Sequence, residues 1–408
     1  MRILLVNKFI FPKGGAETYT FDVGKMLEEH GHEVQYFGLE NEKNTVGNRI
    51  GSYVTNMDFS QGIKANLNAP FRIIYSREAR KKIRAVLDDF QPDVVHLNNI
   101  QYHLTPSIIL EINKWRKETK KECKIVYTTH DYQLVCPSHG MFDVDMKPCE
   151  RCLDGHYIHC LQTKCLKNSR AKSLLGTLDG YMWKYSKAYS YVDAYICCSY
   201  FLKSKLDTQK RFRDKTIGLH NFKKEMPHLD NIQKKGYVLE FGHLSRDKGT
   251  DTLLEVARRM PNTEFMFIGY GPSVDKMKNI PNVKYLGFKT GEELYRIIAE
   301  AAISVCPSEM YENCPYSVME SVLLGTPVVG SKMGGIPELI EPGKNGELFE
   351  AGNVEDLMKA IKKIFQTQDV LERYTKNCSH VNYETTESYY VKLMKIYRGE
   401  KNVEQISS

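Results

Sequence analysis

The chain has 408 residues, too many for one ordinary core, so length alone argues for two domains. Its 42% hydrophobic and 26% charged residues give the balance of a globular chain, and a net charge of +7 is too modest to mark a nucleic-acid binder. Nowhere do about 18 apolar residues run together, which excludes a membrane-spanning helix, and the opening run Ile3 to Val6 is too short for an export signal. Eleven cysteines without such a signal read as thiols in a reducing, cytoplasmic compartment.

In chain order, strand and helix alternate. Ile3 to Val6 predicts a buried strand, GGAETYTFDVGKMLEEHG a helix ending at Gly31, and Glu33 to Phe37 a second strand. DVVHLNN (93–99) and KIVYTTH (124–130) predict further strands around a helix near 105–120. The stretch from about 134 to 172 breaks the rhythm and is rich in Cys, Gly and His. YVLEFG (237–242), TEFMFIG (263–269), VKYLG (283–287), AISVCPS (302–308) and TPVVGS (326–331) restart it. The rhythm implies α/β domains, doubly wound parallel sheets with helices on both faces. The expected division is 1–205, 206–382 and a last helix from 383 that crosses back to the first domain. Ligands of such sheets bind at the carboxyl ends of strands, beside helix N-termini.

The most informative segment is PSEMYENCPYSVMESVLLGTPVVGSKMGGIPELI (307–340). A strand ends, a loop carries Glu312, Pro315 suits the opening of a helix, and Glu320 follows eight residues after Glu312. Carboxylates accept hydrogen bonds from vicinal hydroxyls, and a helix N-terminus offers N–H donors and a positive dipole to phosphate. A nucleotide-sugar presents those handles: Glu312 suits its hexose, the amides near Tyr316 and Ser317 its diphosphate, and Glu320 its ribose.

On these residues the chain resembles glycosyltransferase family 4, whose Glu-x7-Glu signature matches Glu312 and Glu320 and whose adjoining segments match GTPVV and GGIPE. The resemblance covers nearly the whole chain and implies a GT-B fold, two Rossmann-like domains facing across a cleft. FGHLSRDKGTDTLLEVA (241–257) resembles the family's phosphate loop, with Lys248 at its lysine. His243 stands where an arginine is usual, and neutral imidazole lacks guanidinium's permanent charge and fork; Arg246 is the nearby substitute. Gly14-Gly15 matches the family's first glycine-rich loop, IGYGP, with Gly269, its turn near the nucleotide base, and His130 the histidine beside donor hexose and acceptor. The expected activity is retaining transfer of a hexosyl unit from a UDP- or GDP-sugar to a glycan or polyprenyl-linked acceptor in surface polysaccharide synthesis. Glu312, His130 and Lys248 are the catalytic candidates, and no cofactor is required. Rival readings are an epimerase or hydrolase of the same fold, and a catalytically silent partner in an assembly complex.

Asp143-Val144-Asp145 matches a metal-binding Asp-x-Asp but lies in the irregular stretch, and Lys248 with a helix N-terminus neutralises a diphosphate without metal. Cys149, Cys152, Cys160 and Cys165 have spacings that suit either a structural zinc or unliganded thiols, with Cys136, His139, His156 and His159 as substitute ligands. Arg77, Arg80, Lys81 and Arg84 fall on one helical face, and residues 114–124 hold six Lys/Arg against two Glu. Such faces are ordinarily solvated; the alternative is peripheral contact with anionic lipid at the inner face of the membrane.

Overall fold

The computed structural model describes residues 1–56, 69–223 and 226–400. The chain divides into two compact units. The first comprises Met1–Gly140, Cys149–Asn221 and the segment from Glu387; the second comprises Met141–Pro148 and Phe222–Thr386.

The first unit is built on a six-stranded sheet of β1 (Arg2–Val6), β2 (Glu33–Phe37), β3 (Val94–Leu97), β4 (Lys124–Thr129), β5 (Ala194–Cys197) and β6 (Thr216–Gly218), in the order β2-β1-β3-β4-β5-β6. Every pairing is parallel. Ile3, Leu4, Leu5 and Val6 are all fully buried, which is why β1 reads as an unbroken apolar run: successive side chains point to opposite faces, and both faces are covered.

The second unit repeats the plan with β7 (Lys235–His243), β8 (Glu264–Tyr270), β9 (Val283–Tyr285), β10 (Ala301–Cys306), β11 (Val328–Ser331) and β12 (Gly346–Phe349), ordered β12-β11-β10-β7-β8-β9. Alternation along β7 and β8 feeds two separate cores. Val238, Phe265 and Phe267 join Leu253, Leu254 and Ile361 from helices Thr250–Arg259 and Val354–Ile364. Tyr237, Leu239 and Ile268 join Ile298 of helix Gly291–Glu300 on the other face.

The helix Thr386–Arg398 falls almost wholly in the first unit, far along the chain from the residues it touches. Tyr389 hydroxyl meets Tyr19 hydroxyl at 2.7 Å, and Tyr397 hydroxyl meets His96 Nδ1 at 2.7 Å, all buried. Burial, with the neighbouring His130 adding to it, pushes the His96 imidazole down to about 3, so the ring is neutral within this core.

Topology fixes where ligands fit. In the first sheet the strand order reverses at β1 and β3; in the second it reverses at β7 and β10. Connections leave toward opposite sides at such a point and open a crevice at the carboxyl ends of the two strands.

Candidate active site

In the second unit the loops after β7 and β10 are laced together. Glu309 N–H donates to Asp247 carbonyl at 2.9 Å. Gly249 holds φ +78°, and a Cβ there would lie 1.9 Å from the Pro307 carbonyl oxygen, so only glycine lets the loops approach this closely. Lys248 is thereby aimed at the β10 loop, where its ammonium donates to Glu312 Oε1. Burial works against its charge, but the Glu312 carboxylate outweighs burial and holds the Lys248 pKa above the usual lysine value. Ser308 hydroxyl donates to the same Glu312 oxygen at 3.1 Å, and Gly335 N–H to the Glu312 carbonyl at 2.7 Å. Gly334, at φ +63°, would place a Cβ 2.0 Å from that carbonyl. GGIPE therefore acts as the clamp that orients Glu312.

Pro315 stands at the N-cap of helix Tyr316–Leu323, and no side chain caps that end. Tyr316 and Ser317 open the helix, and Glu320 lies one turn further on. Glu320 Oε1 accepts from Lys223 Nζ at 2.6 Å, with both side chains largely buried. Lys223 also lies 5.2 Å from the Tyr316 ring centre. Sequence reasoning missed Lys223: it sits in the connection just after the second unit begins, 97 residues from its partner, without a motif around it. Ser308 was missed too, although a hydroxyl at the end of a predicted strand is a usable signal.

Beneath the β7 loop lies Glu240, another residue sequence reasoning passed over. Its Oε1 accepts from Thr250 hydroxyl at 2.8 Å, while buried Oε2 has no partner among the described residues. Burial pushes its carboxyl up to about 8, so it is neutral at physiological pH. Arg246 is exposed on the same loop, as is His243. The His243 ring sits 5.4 Å from Tyr270, which follows Gly269 at the end of β8 and lies 6.1 Å from Phe288.

The first unit places its own groups at its own reversal point. Helix Gly15–Glu29 starts directly after Gly14, again with no side-chain cap. Asn7, just past β1, accepts from Asn99 N–H at 3.0 Å and donates to Phe9 carbonyl at 2.7 Å and Glu17 Oε1 at 3.1 Å. His130, just past β4, meets Asn98 Oδ1 at 2.9 Å through Nε2 and lies edge-on to Tyr19 at 4.9 Å. Burial pushes its imidazole down to about 4 against the opposing pull of Asp131, so His130 is neutral. The candidates thus divide: Gly14, Gly15 and His130 belong to the first unit, while Arg246, Lys248, Gly269, Glu312, Tyr316, Ser317 and Glu320 belong to the second.

Asp143 is engaged in local structure. Its Oδ1 accepts from the backbone N–H of Asp145 and Lys147, closing the turn between Phe142 and Pro148. Among the cysteines, Cys152 and Cys160 are buried with Tyr157, Cys165 packs against them, and Cys160 and Cys165 sulfurs lie 2.8 Å apart. Among the described residues no group of three or more His, Cys, Asp or Glu side chains is arranged to hold a metal ion.

Two parallel-sheet units of this topology have the architecture of GT-B glycosyltransferases, and here the Lys248 and Glu312–Glu320 segments meet at one strand-order reversal. The sequence profile of Glycosyltransferase Family 4 matches residues 13–221, and that of Glycosyl transferases group 1 matches residues 221–380. The chain belongs to this glycosyltransferase family. It is 24% identical to an uncharacterized 42.6 kDa protein in the cps region of Klebsiella pneumoniae, over 92% of this chain and 99% of that protein. It is 30% identical to the amylovoran biosynthesis glycosyltransferase AmsK of Erwinia amylovora, over 37% of this chain and 41% of AmsK. Among solved structures, Anabaena HepE in complex with UDP and glucose shares the fold with a TM-score of 0.65 and 16% identity, over 98% and 99% of the two chains. Sucrose-phosphate synthase from Thermosynechococcus elongatus does so with a TM-score of 0.69 and 16% identity, over 97% and 98%.

Proposed function

We propose that this glycosyltransferase moves a hexosyl unit, with retention of configuration, from a UDP- or GDP-sugar to a glycan or polyprenyl-linked glycan acceptor in surface polysaccharide synthesis, in the cytoplasm. The observation that carries the donor assignment is the Lys248–Glu312 pair at the β7–β10 reversal, beside an uncapped helix N-terminus. An arriving diphosphate takes the Lys248 ammonium and the amides of Tyr316 and Ser317, as anions do at helix N-termini. Glu312 is then released to accept from hexose hydroxyls, Glu320 accepts from the ribose, and the Gly269 turn faces the base. HepE binds UDP and glucose on a shared fold, and relatives from a cps region and from amylovoran biosynthesis favour the polysaccharide context.

On this reading no residue takes the part of nucleophile on the sugar. In same-face attack the leaving diphosphate accepts the acceptor proton while the protein positions both partners and stabilises the developing charge. Neutral His130, held by Asn98, offers a hydrogen bond to an uncharged hydroxyl without bringing charge to it.

The reading takes donor chemistry to be metal-independent, supported by the engagement of Asp143 in its turn; transfer that survives brief EDTA treatment agrees, and loss rescued by Mn²⁺ overturns it. A zinc on Cys149, Cys152, Cys160 and Cys165 would be structural, and metal analysis of chelator-free protein decides it: about one zinc per chain for a clamp, none for free thiols. The test of the whole reading is a thermal-shift panel of UDP, GDP, ADP and their sugars. A ligand at 100 times its dissociation constant stabilises the folded state by about 2.7 kcal/mol. No response to any uridine or guanosine ligand overturns the proposal.

A further inference from the structure

The first unit carries a second feature, lined by the basic face Arg77–Arg84 and by none of the donor- or acceptor-side candidates. A cavity of ≈ 1300 Å³ opens between helices Ala69–Ile74, Arg77–Phe90, Ser107–Thr119 and Arg170–Tyr185. Five cations line it, Arg72, Arg77, Arg80, Lys81 and Arg84, against the two carboxylates Glu78 and Glu111. Part of that charge is internal. Arg80 Nε donates to Glu111 at 2.9 Å, Arg84 pairs with Asp88, Glu118 and Glu111, and Arg72 pairs with Glu78. Arg77 and Lys81, both exposed, have no ion-pair partner among the described residues. These two lie four residues apart on one helix, so they present their charge to the same side.

The basic stretch at residues 114–124 is divided in the same way. Lys114 pairs with Glu118, Arg116 with Asp193 and Lys121 with Asp93. Lys117, Lys120 and Lys124 of that stretch are exposed without an ion-pair partner among the described residues, so unpaired charge alone does not single out the cavity; what does is the apolar row beside it.

Beside the cavity runs an apolar stripe. Met182 lines the cavity, and Tyr75 stacks on Trp183 of the same helix with centroids 6.1 Å apart. Further along that helix Leu174 is 45% exposed, Leu178 51% and Tyr185 71%. Positions 174, 178, 182 and 185 recur at helical spacing and fall within an arc of roughly 80°. Single exposed apolar residues need no explanation, but a helical row of them beside uncommitted cations does. Interfacial helices combine the same two elements, an apolar row entering the acyl boundary and cations meeting anionic headgroups.

We infer that this face docks the first unit on an anionic phospholipid surface, with headgroup phosphates at Arg77 and Lys81 and with Leu174, Leu178 and Tyr185 entering the acyl boundary. The charge complementarity selects a lipid phosphate as the occupant, and the apolar row selects a membrane over a soluble anion. The inference is independent of the transfer reading, because vesicle binding is read without donor or acceptor.

The test is co-sedimentation of the full chain with vesicles of phosphatidylcholine alone and of phosphatidylcholine with phosphatidylglycerol. Binding is expected to the second only, and to weaken steeply as salt screens it. Arg77→Ala with Lys81→Ala should lower the partition coefficient about 30-fold, taking about 1 kcal/mol per basic side chain near the surface. Leu178→Asp with Tyr185→Asp should also release the protein, and both variants should keep the circular-dichroism spectrum and thermal midpoint of the wild type. Equal binding to neutral vesicles, absence of binding to either kind, or wild-type binding by the Arg77/Lys81 variant each overturns the inference. So does saturation of the site by soluble pyrophosphate with no vesicle binding, which would make a free phosphate the ligand. Should a variant fail to fold, the salt series on wild-type protein still decides: binding that is insensitive to salt rejects the electrostatic half.

Discussion

The two strand-order reversals share a topology and differ in chemistry. At β7 and β10 the contacts are ionic: Lys248 with Glu312, and Lys223 with Glu320. At β1 and β3 hydrogen bonding runs through amides, Asn7, Asn98 and Asn99, and through His130 kept neutral by burial. A diphosphate needs fixed positive charge that is already oriented, and on the proposed reading the Glu312 carboxylate provides that orientation by holding the Lys248 ammonium in place. An acceptor hydroxyl carries no charge until reaction, so neutral donors and acceptors suffice for it. On the proposed donor and acceptor assignment, the same crevice, repeated, would serve opposite demands through its side chains rather than its backbone.

The sharpest way to break this comparison is to remove the charge. Lys248→Ala should lower turnover on the order of 10²- to 10³-fold if the ammonium meets charge that builds on the leaving group. Near-normal turnover in that variant would leave the second crevice no more electrostatic than the first. A second experiment divides the glutamates. Glu320→Ala should weaken UDP or GDP binding by roughly 10- to 100-fold, the range of a hydrogen bond to a charged group. Glu312→Ala should spare nucleotide affinity and impair transfer, and calorimetry with the reverse pattern would exchange their roles.

Glu240 sharpens the contrast through pH. Its carboxyl is held near 8 in the folded chain and titrates at about 4.3 when unfolded. Between those values the folded state binds the extra proton, so stability falls as pH rises, by up to about 1.4 kcal/mol per unit, and levels off above about 8. Glu240→Gln should flatten this slope in denaturant titrations across pH 5.5 to 7.5; an unchanged slope would mean that the carboxyl is ionised beneath the Lys248 loop. The smallest expected effect lies in the first unit. His130→Ala should reduce transfer by about 5-fold, one neutral hydrogen bond, with nucleotide affinity unchanged. A loss of UDP binding in that variant would place His130 in the nucleotide pocket instead.

Much of the fold was legible because buried parallel strands leave a plain trace. Ile3 to Val6, DVVHLNN and AISVCPS read as strands since both sheet faces are covered and apolar residues need not alternate. The glycines of GGIPE and of the Lys248 loop were legible as motifs, yet their reason was not: Gly249 and Gly334 are required by the carbonyls of Pro307 and Glu312, which come from other loops. The basic face at Arg77–Arg84 was visible as a spacing, but no spacing tells which cations find carboxylates on the neighbouring helix and which, like Arg77 and Lys81, do not.

By itself, then, the sequence determined the strand–helix rhythm, the family segments and the residue types available at each strand end, since these depend on local periodicity and on contiguous motifs. The tertiary structure alone decided the partners. Strand order set which loops meet, and so joined Lys248 to Glu312 across 64 residues and Lys223 to Glu320 across 97. It also brought Tyr389 and Tyr397 back onto Tyr19 and His96, and it buried Glu240 and half-buried His130 where desolvation makes both neutral. Ionisation and pairing depend on what surrounds a group in space, and chain order carries no record of that until the sheets have formed.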